Sequence, residues 1–263
     1  MYKLIAVDID GTLINSQKKI TSKTREAILF ALEKGIHLVL STGRPVQGIY
    51  DIYDQLHLDS PAITYNGAVV LNHKNGPVIY ECPLLPADTK AIINKGDELL
   101  TTVAIWYQSK LYVNKLNDKA YEYSTISNVP PLLYDNKEEI FKNGATKVLY
   151  YDDVSAINDY CIQLKGTFSE NVVFHTSRPY FLEFVNGAVS KARAMEKLGD
   201  FLHIKAEEMI AIGDGFNDLS MIEYAGMGVA MGNAPDEVKK KASLVTTSCD
   251  HDGVANAIYK LIR

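Results

Sequence analysis

The stretch VDIDGTLIN, residues 7–15, decides how this chain is read. It continues the apolar run Leu4-Ile5-Ala6-Val7, which has the composition of a short strand covered on both faces. At the end of that strand stand two carboxylates, Asp8 and Asp10. Residues two apart in extended backbone face the same way, so the spacing predicts that the two acids converge. Gly11 then lets the chain turn away steeply. A buried strand that ends in two acids calls for something nearby to offset their charge.

Two more clusters of the same kind lie further along. STGRP, residues 41–45, ends the apolar run of residues 36–40, and GDGFND, residues 213–218, ends that of residues 209–212. Open parallel sheets bind ligands in the crevice beyond the carboxyl ends of their strands. Asp214 and Asp218 would raise the number of carboxylates in that crevice to four. Such a group repels itself and is forced to protonate in part. A hard divalent cation removes the conflict, and Mg²⁺ suits a few carboxylate oxygens, waters and a substrate phosphate. Arg44 lies two residues past Thr42, and Lys191 opens a predicted helix. A lysine, a threonine hydroxyl and loop N–H groups together suit a phosphate. Carboxylates, a divalent ion and a lysine around one phosphate make a phosphoryl-transfer site.

The rest of the chain supplies the frame. Residues 22–34 have helical spacing at Ile28, Leu29 and Leu32 and stop at Gly35. Residues 62–65 and 68–71 read as strands flanking Asn66-Gly67, where a type I′ hairpin turn is expected; Asn66 is also a candidate to face substrate. Residues 191–198 and 254–262 read as helices around further strands in MIAIGDGFND and GVAMGNAP. This βαβ order predicts a parallel sheet with right-handed crossovers. The middle differs. Tyrosine-rich amphipathic strands, TVAIWYQSKLYVN and ATKVLYYDD, alternate with helices over residues 89–100 and 155–164. The expected fold is therefore α/β, a Rossmann-like parallel-sheet core (residues 1–82 and 187–263) with an inserted α+β cap domain (residues 83–186). The junctions fall near Pro83-Leu84-Leu85-Pro86 and Asn186-Gly187.

Composition narrows the partners. The chain has 263 residues, 47% hydrophobic and 22% charged, with a formal net charge of -5. This is ordinary globular composition, and its sign argues against nucleic acid or a membrane surface as a partner. Cys82, Cys161 and Cys249 are far apart and form no CxxC pair, which fits a reducing cytoplasm. No apolar stretch approaches the ~20 residues that span a bilayer, and Asp8 and Asp10 interrupt any secretion signal. Several features read as structural. Lys239-Lys240-Lys241 reads as a solvated face, Asp152-Asp153 as a helix cap, and Trp106 with Tyr107 as cap core. His175, Arg178 and Glu183 read as surface or packing residues, with a place facing the crevice as the alternative.

The motifs DxDGT, Ser/Thr-Gly-Arg, Lys and GDGxND, in this order, resemble those of the haloacid dehalogenase superfamily of phosphatases. The long α+β insertion, with STGRP, NGA and SKARAM as they stand here, is similar to the Cof-like sugar-phosphatase branch. The resemblance implies roles. Asp8 is the nucleophile that forms an aspartyl-phosphate, and Asp10 is the general acid and base. Asp8, the backbone carbonyl of Asp10, and Asp214 hold Mg²⁺, with Asp218 a ligand or a carboxylate behind the ligands. Thr42 and Lys191 grip the phosphate, Gly43 supplies an N–H, and Asn217 lies near the phosphate. Arg44 either touches substrate or forms a structural ion pair. The expected activity is Mg²⁺-dependent hydrolysis of a small phosphorylated metabolite, a sugar phosphate first and a nucleotide-like or cofactor phosphate second. The alternatives are a phosphomutase on the same fold and a non-catalytic module that binds phosphorylated metabolites.

Overall fold

A computed structural model describes residues 1–134 and 137–262. In chain order the first elements are β1 (Leu4–Val7), α1 (Ser22–Glu33), β2 (His37–Ser41), α2 (Tyr50–Leu56), β3 (Ala62–Thr64), β4 (Val69–Leu71) and β5 (Val78–Glu81). The middle of the chain carries α3 (Pro86–Glu98), β6 (Thr102–Tyr107), β7 (Lys110–Val113), α4 (Asp118–Ser127), β8 (Pro131–Leu133), α5 (Glu138–Asn143), β9 (Lys147–Tyr151), α6 (Val154–Gln163), β10 (Val172–Arg178) and β11 (Phe181–Asn186). The last part carries α7 (Lys191–Leu202), β12 (Met209–Gly213), α8 (Leu219–Tyr224), β13 (Met227–Ala230), α9 (Asp236–Lys239), β14 (Leu244–Val245) and α10 (Gly253–Leu261). The chain divides into two compact units. One comprises Met1–Gly43, Tyr50–Tyr80 and Ser190–Arg263; the other comprises Arg44–Ile49 and Glu81–Val189.

Among the described residues, the sheet of the first unit has eight strands in the order β14-β13-β12-β1-β2-β3-β4-β5. From β14 through β3 neighbouring strands are parallel; β4 runs antiparallel to β3. The chain builds outward from β1 in one direction through β2 and β3, and in the other through β12, β13 and β14. The gap between the ends of β1 and β12 is thus a topological switch point, where such sheets hold ligands. Leu4, Ala6, Val39, Ala211 and Met209 pack with Met195, Leu198 and Met221 of α7 and α8. Leu4, Ile5 and Leu38 are fully buried, each worth about 1.5–3 kcal/mol relative to exposure. Helix α1 is capped by Thr21, whose hydroxyl accepts from the Thr24 N–H at 3.1 Å, and ends before Gly35 at φ +74.

The second unit is built around a mixed sheet. Among the described residues it has six strands in the order β10-β11-β9-β6-β7-β8. Only β7 and β8 run parallel among the pairings found. Alternation decides its faces. Val103, Ile105, Val148, Tyr150, Leu182 and Phe184 form one core, with Ile92, Ile140 and Ile157 of α3, α5 and α6. Trp106, Lys147 and Glu183 occupy the intervening positions. An α+β unit together with a parallel-sheet unit is the expected fold class.

Three local expectations change. Helix α3 begins at Pro86, not residue 89, because proline is at ease at the first helical position. Asp152 and Asp153 do not cap α6 through their side chains; both accept from Lys119 Nζ instead, at 2.7 and 3.0 Å. Asn66-Gly67 is not a two-residue hairpin turn. Thr64 pairs with Val69, so four residues connect the strands, and Tyr65 and Asn66 both take left-handed backbone, at φ 50 and 57. Trp106 is core as expected, 1% exposed, with Nε1 donating to the Tyr123 hydroxyl at 2.9 Å.

Candidate active site

The carboxyl ends of β1, β2 and β12 carry the polar clusters. Asp8 follows β1 directly, and its N–H donates to the Ile212 carbonyl of β12 at 2.9 Å. The chain then folds back, with the Leu13 and Ile14 N–H groups donating to the carbonyls of Asp8 and Ile9. Gly11 makes this turn possible on two counts. Its φ is +83, and a Cβ there would lie 2.5 Å from Asp214 Oδ2. Asp8 is buried and Asp10 is exposed.

Lys191 stands at the first position of α7, where the Ser190 hydroxyl caps the helix by accepting from the Arg193 N–H at 3.1 Å. Its side chain is fully buried. An ammonium has three N–H donors, and all three are used: to Asp8 Oδ1 at 2.6 Å, Asp218 Oδ1 at 2.6 Å and the Ser41 carbonyl at 2.7 Å. Asp218 Oδ2 in turn accepts from the N–H groups of Asp214 and Gly215, both at 2.9 Å. Asp214 receives the Thr12 hydroxyl on Oδ1 at 2.8 Å and the Asn233 amide on Oδ2 at 3.3 Å. One oxygen each from Asp8, Asp214 and Asp218 lies within 4.8 Å of the others, a grouping that could hold a metal ion.

The electrostatics follow from burial and from this crowding. Burial pushes the Asp8 carboxyl up, Lys191 opposes it, and Asp218 and Asp214 add to it; the result is about 7. Asp214 is also raised, by burial first and by Asp218 and Asp10, against the Thr12 hydrogen bond. Burial alone would discharge Lys191, but Asp8 and Asp218 outweigh it and hold the ammonium above its usual range.

The β2 loop lies on the other side of Lys191. Thr42 is buried, its N–H donates to the Ile63 carbonyl, and its own carbonyl accepts the Asn66 N–H, each at 2.9 Å. Asn66 Oδ1 accepts from Asn217 Nδ2 at 3.2 Å. A Cβ on Gly43 would meet Asn66 Oδ1 at 3.0 Å, and one on Gly67 would meet the Ser190 carbonyl at 2.2 Å. The left-handed turn at residues 65–67 therefore ties the Thr42 loop, Asn217 and the start of α7 together. Asp8, Asp10, Thr42, Gly43, Asn66, Lys191, Asp214, Asn217 and Asp218 all belong to the first unit. Arg44 does not: it is grouped with the second, and its Nη1 donates to the Gly48 carbonyl at 3.1 Å. Sequence reasoning passed over Thr12 and Asn233, the donors to Asp214. Thr12 stood in plain view as the last letter of DxDGT.

The chain has relatives along its whole length. The sequence profile of the haloacid dehalogenase-like hydrolases matches residues 5–258. The Bacillus subtilis protein YxeH is 35% identical, over 100% of this chain and 99% of its own. The 5-amino-6-(5-phospho-D-ribitylamino)uracil phosphatase YitU of the same organism is 30% identical over 96% and 94%. The pyridoxal phosphate phosphatase YbhA of Escherichia coli is 30% identical over 98% and 97%. Among solved structures, a haloacid dehalogenase-like hydrolase from Bacteroides thetaiotaomicron superposes with TM-score 0.85 at 33% identity, covering both chains completely. The subclass IIB sugar phosphatase BT4131 superposes with TM-score 0.77 at 25% identity, over 99% of this chain and 98% of its own. Matched over nearly its full length in both sequence and fold, the chain belongs to the haloacid dehalogenase-like hydrolases and is one of that family's phosphatases.

Proposed function

We propose that this phosphatase hydrolyses small phosphorylated metabolites in two steps through an aspartyl-phosphate at Asp8, and that it depends on Mg²⁺. The observation that carries the reading is the fully buried Lys191 ammonium, held between Asp8 and Asp218 with Asp214 beside them. Two carboxylates contact one ammonium there and a third lies close by, so negative charge remains in excess. A hard divalent cation with oxygen ligands fits that donor set. The side chains of Asp8 and Asp214 and the backbone carbonyl of Asp10 would hold it. Asp218 already spends both oxygens on Lys191 and on two N–H groups, which suits it to hold the others in place. When bound, the ion screens the charge between a phosphate dianion and the Asp8 carboxylate.

The chain's own groups account for the rest. Lys191 fixes one oxygen of Asp8 and leaves the other for attack on phosphorus. The new P–O bond forms as the bond to the leaving alcohol breaks. Asp10, exposed two residues on, gives that alcohol its proton. It then takes a proton from the water that attacks the phosphorus, which frees Asp8 and releases inorganic phosphate. Thr42 and Gly43 grip the phosphate, Lys191 adds its positive charge with its three donors already held by Asp8, Asp218 and the Ser41 carbonyl, and Asn66 with Asn217 lies on the substrate side. Arg44 is a candidate for substrate contact, with a structural role as its alternative. Residues 1–82 and 187–263 act as the catalytic core and residues 83–186 as the cap. Sugar phosphates are the first substrate class, by likeness to BT4131. Pyridoxal phosphate and the phosphoribitylaminouracil of the other relatives come next. No described helix is long and apolar enough to cross a membrane, and the three cysteines are free thiols; we place the enzyme in the cytoplasm.

The test is phosphate release across a panel of sugar, cofactor and nucleotide monophosphates, with Mg²⁺ and with EDTA. Free phosphate with Mg²⁺ alone supports hydrolysis. Isomerised sugar phosphate on chromatography would make the chain a mutase, and binding without turnover would make it a non-catalytic binding module for phosphorylated metabolites.

A further inference from the structure

We propose that Asn233, in the loop after β13, is a positioning residue that fixes the orientation of the metal-holding carboxylate of Asp214. This rests on the reading of Asp8 and Asp214 as the Mg²⁺ site. Asn233 belongs to none of the four strand-end motifs. Its loop is nevertheless clamped to the site's floor. The Met231 N–H donates to the Gly213 carbonyl and the Gly232 N–H to the Thr247 carbonyl, both at 3.0 Å. A Cβ on Gly232 would lie 2.7 Å from the Ser248 nitrogen, so only glycine lets the loop come this close.

From that position the Asn233 amide makes contacts in three directions. Its Oδ1 accepts the Cys249 N–H at 2.9 Å. Its Nδ2 donates to the Gly11 carbonyl at 2.9 Å and to Asp214 Oδ2 at 3.3 Å. A side-chain amide has two N–H donors, one for each of these acceptors. The orientation is unambiguous, because a flipped amide would set its oxygen against a carbonyl and a carboxylate and its NH₂ against an N–H. The two acceptors are themselves in close quarters, since Asp214 Oδ2 packs on Gly11. Without a donor between them, a carbonyl and a carboxylate oxygen repel and the carboxylate is free to rotate. With Thr12 on Oδ1 and Asn233 on Oδ2, each oxygen of Asp214 has one donor and keeps a lone pair for a cation. The same amide holds the turn that presents the Asp10 backbone.

Groups that orient a metal ligand in this way are typically worth about 10–100-fold in metal affinity. The experiment measures the Mg²⁺ dependence of Tm in the substrate-free protein, which reports binding without turnover. Wild type is compared with Asn233→Ala, Asp214→Asn and Asn256→Ala. Asn256 serves as the control. Its amide ties the same 246–251 segment, through Thr247 Oγ1 at 2.8 Å and the His251 carbonyl at 3.1 Å, and reaches no carboxylate of the cluster. The expected result is a Mg²⁺ midpoint about 10–100-fold higher for Asn233→Ala and unchanged for Asn256→Ala, with the KM for substrate at saturating Mg²⁺ preserved. Should Asn233→Ala fail to fold, Asn233→Ser, whose hydroxyl has one hydrogen for two acceptors, takes its place. An unchanged midpoint in the Asn233 variant, or an equal rise in the Asn256 variant, overturns the inference alone. A wild type whose Tm does not respond to Mg²⁺ overturns the metal reading and this inference together.

Discussion

Each unit of this molecule buries a lysine, and the two lysines live differently. Lys147 in the second unit has one carboxylate partner, Glu183, at 3.1 Å, with the Ser177 hydroxyl donating to the other Glu183 oxygen at 2.8 Å. Burial works to raise the Glu183 carboxyl, but Lys147, Ser177 and His175 outweigh it and hold the carboxyl below its usual range. Lys191 in the first unit faces two carboxylates directly and a third close by, and Asp8 is driven up to about 7. A one-to-one pair closes on itself and holds structure together. Three acids around one ammonium do not balance, and the imbalance is what a cation and a phosphate can use.

The difference between the two lysines can be tested by substitution, metal exchange and pH. The largest effect is expected from Asp8→Asn. It removes the nucleophile but keeps the shape and relieves acid crowding, so turnover should fall by about 10⁴-fold or more while Tm holds. Retention of a few per cent of activity in steady-state assays would remove Asp8 from the nucleophile role. Asp10→Asn comes next. Acid assistance is worth about 10²–10⁴-fold, and it should matter for a sugar leaving group far more than for p-nitrophenolate. The pre-steady-state burst isolates that first step; an equal fractional loss on both substrates would leave Asp10 only its backbone role.

Metal exchange tests the imbalance itself. Ca²⁺ takes more oxygens at longer distances than Mg²⁺, so it should occupy the site, compete with Mg²⁺ and support no turnover. Comparable rates with the two ions would count against Asp8 as both ligand and nucleophile. The second unit should answer differently to losing its lysine. Lys147→Met leaves a buried carboxylate unpaired and should cost about 3–5 kcal/mol in urea unfolding, and adding Glu183→Leu should recover most of it. No such companion substitution should restore turnover to Lys191→Met, because there the carboxylates are the chemistry.

The smallest effect is in acid. Glu183 has a lowered carboxyl in the folded protein, so its contribution is fully present above its unfolded value of about 4.3. That contribution is lost as pH falls through the lower folded value. Wild type should therefore lose stability below about pH 5 that the Lys147→Met/Glu183→Leu double variant retains, as read from urea midpoints against pH. Parallel curves for the two proteins would mean the pair contributes nothing.

Much of the first unit was legible because chemistry and spacing coincide there. Apolar runs ending in DIDGT, STGRP and GDGFND mark strand ends, and strand ends of a parallel sheet are where ligands bind. The periodicity of residues 22–34 located a helix to within a residue, Ser22–Glu33. The second unit was legible only in kind. Alternating tyrosines announce amphipathic strands, but nothing in ATKVLYYDD says that Lys147 will meet Glu183, thirty-six residues away, across neighbouring strands. The same blindness hid the Asp152 and Asp153 contacts with Lys119.

What the sequence determined by itself was local: which runs are strands, which acids stand at their ends, and that one crevice would carry too much negative charge for itself. Backbone period and residue type decide those things over a few residues. The partner of each charge, in contrast, was set by how distant segments pack together. Lys191 spans Asp8 and Asp218, Asp218 turns its second oxygen to the 214–215 backbone, the left-handed turn at Tyr65 and Asn66 links two motifs, and Asn233 reaches Gly11 and Asp214. Hydrogen bonds act over about 3 Å in space. The residues they join here lie up to 222 positions apart along the chain, a separation across which no spacing rule applies.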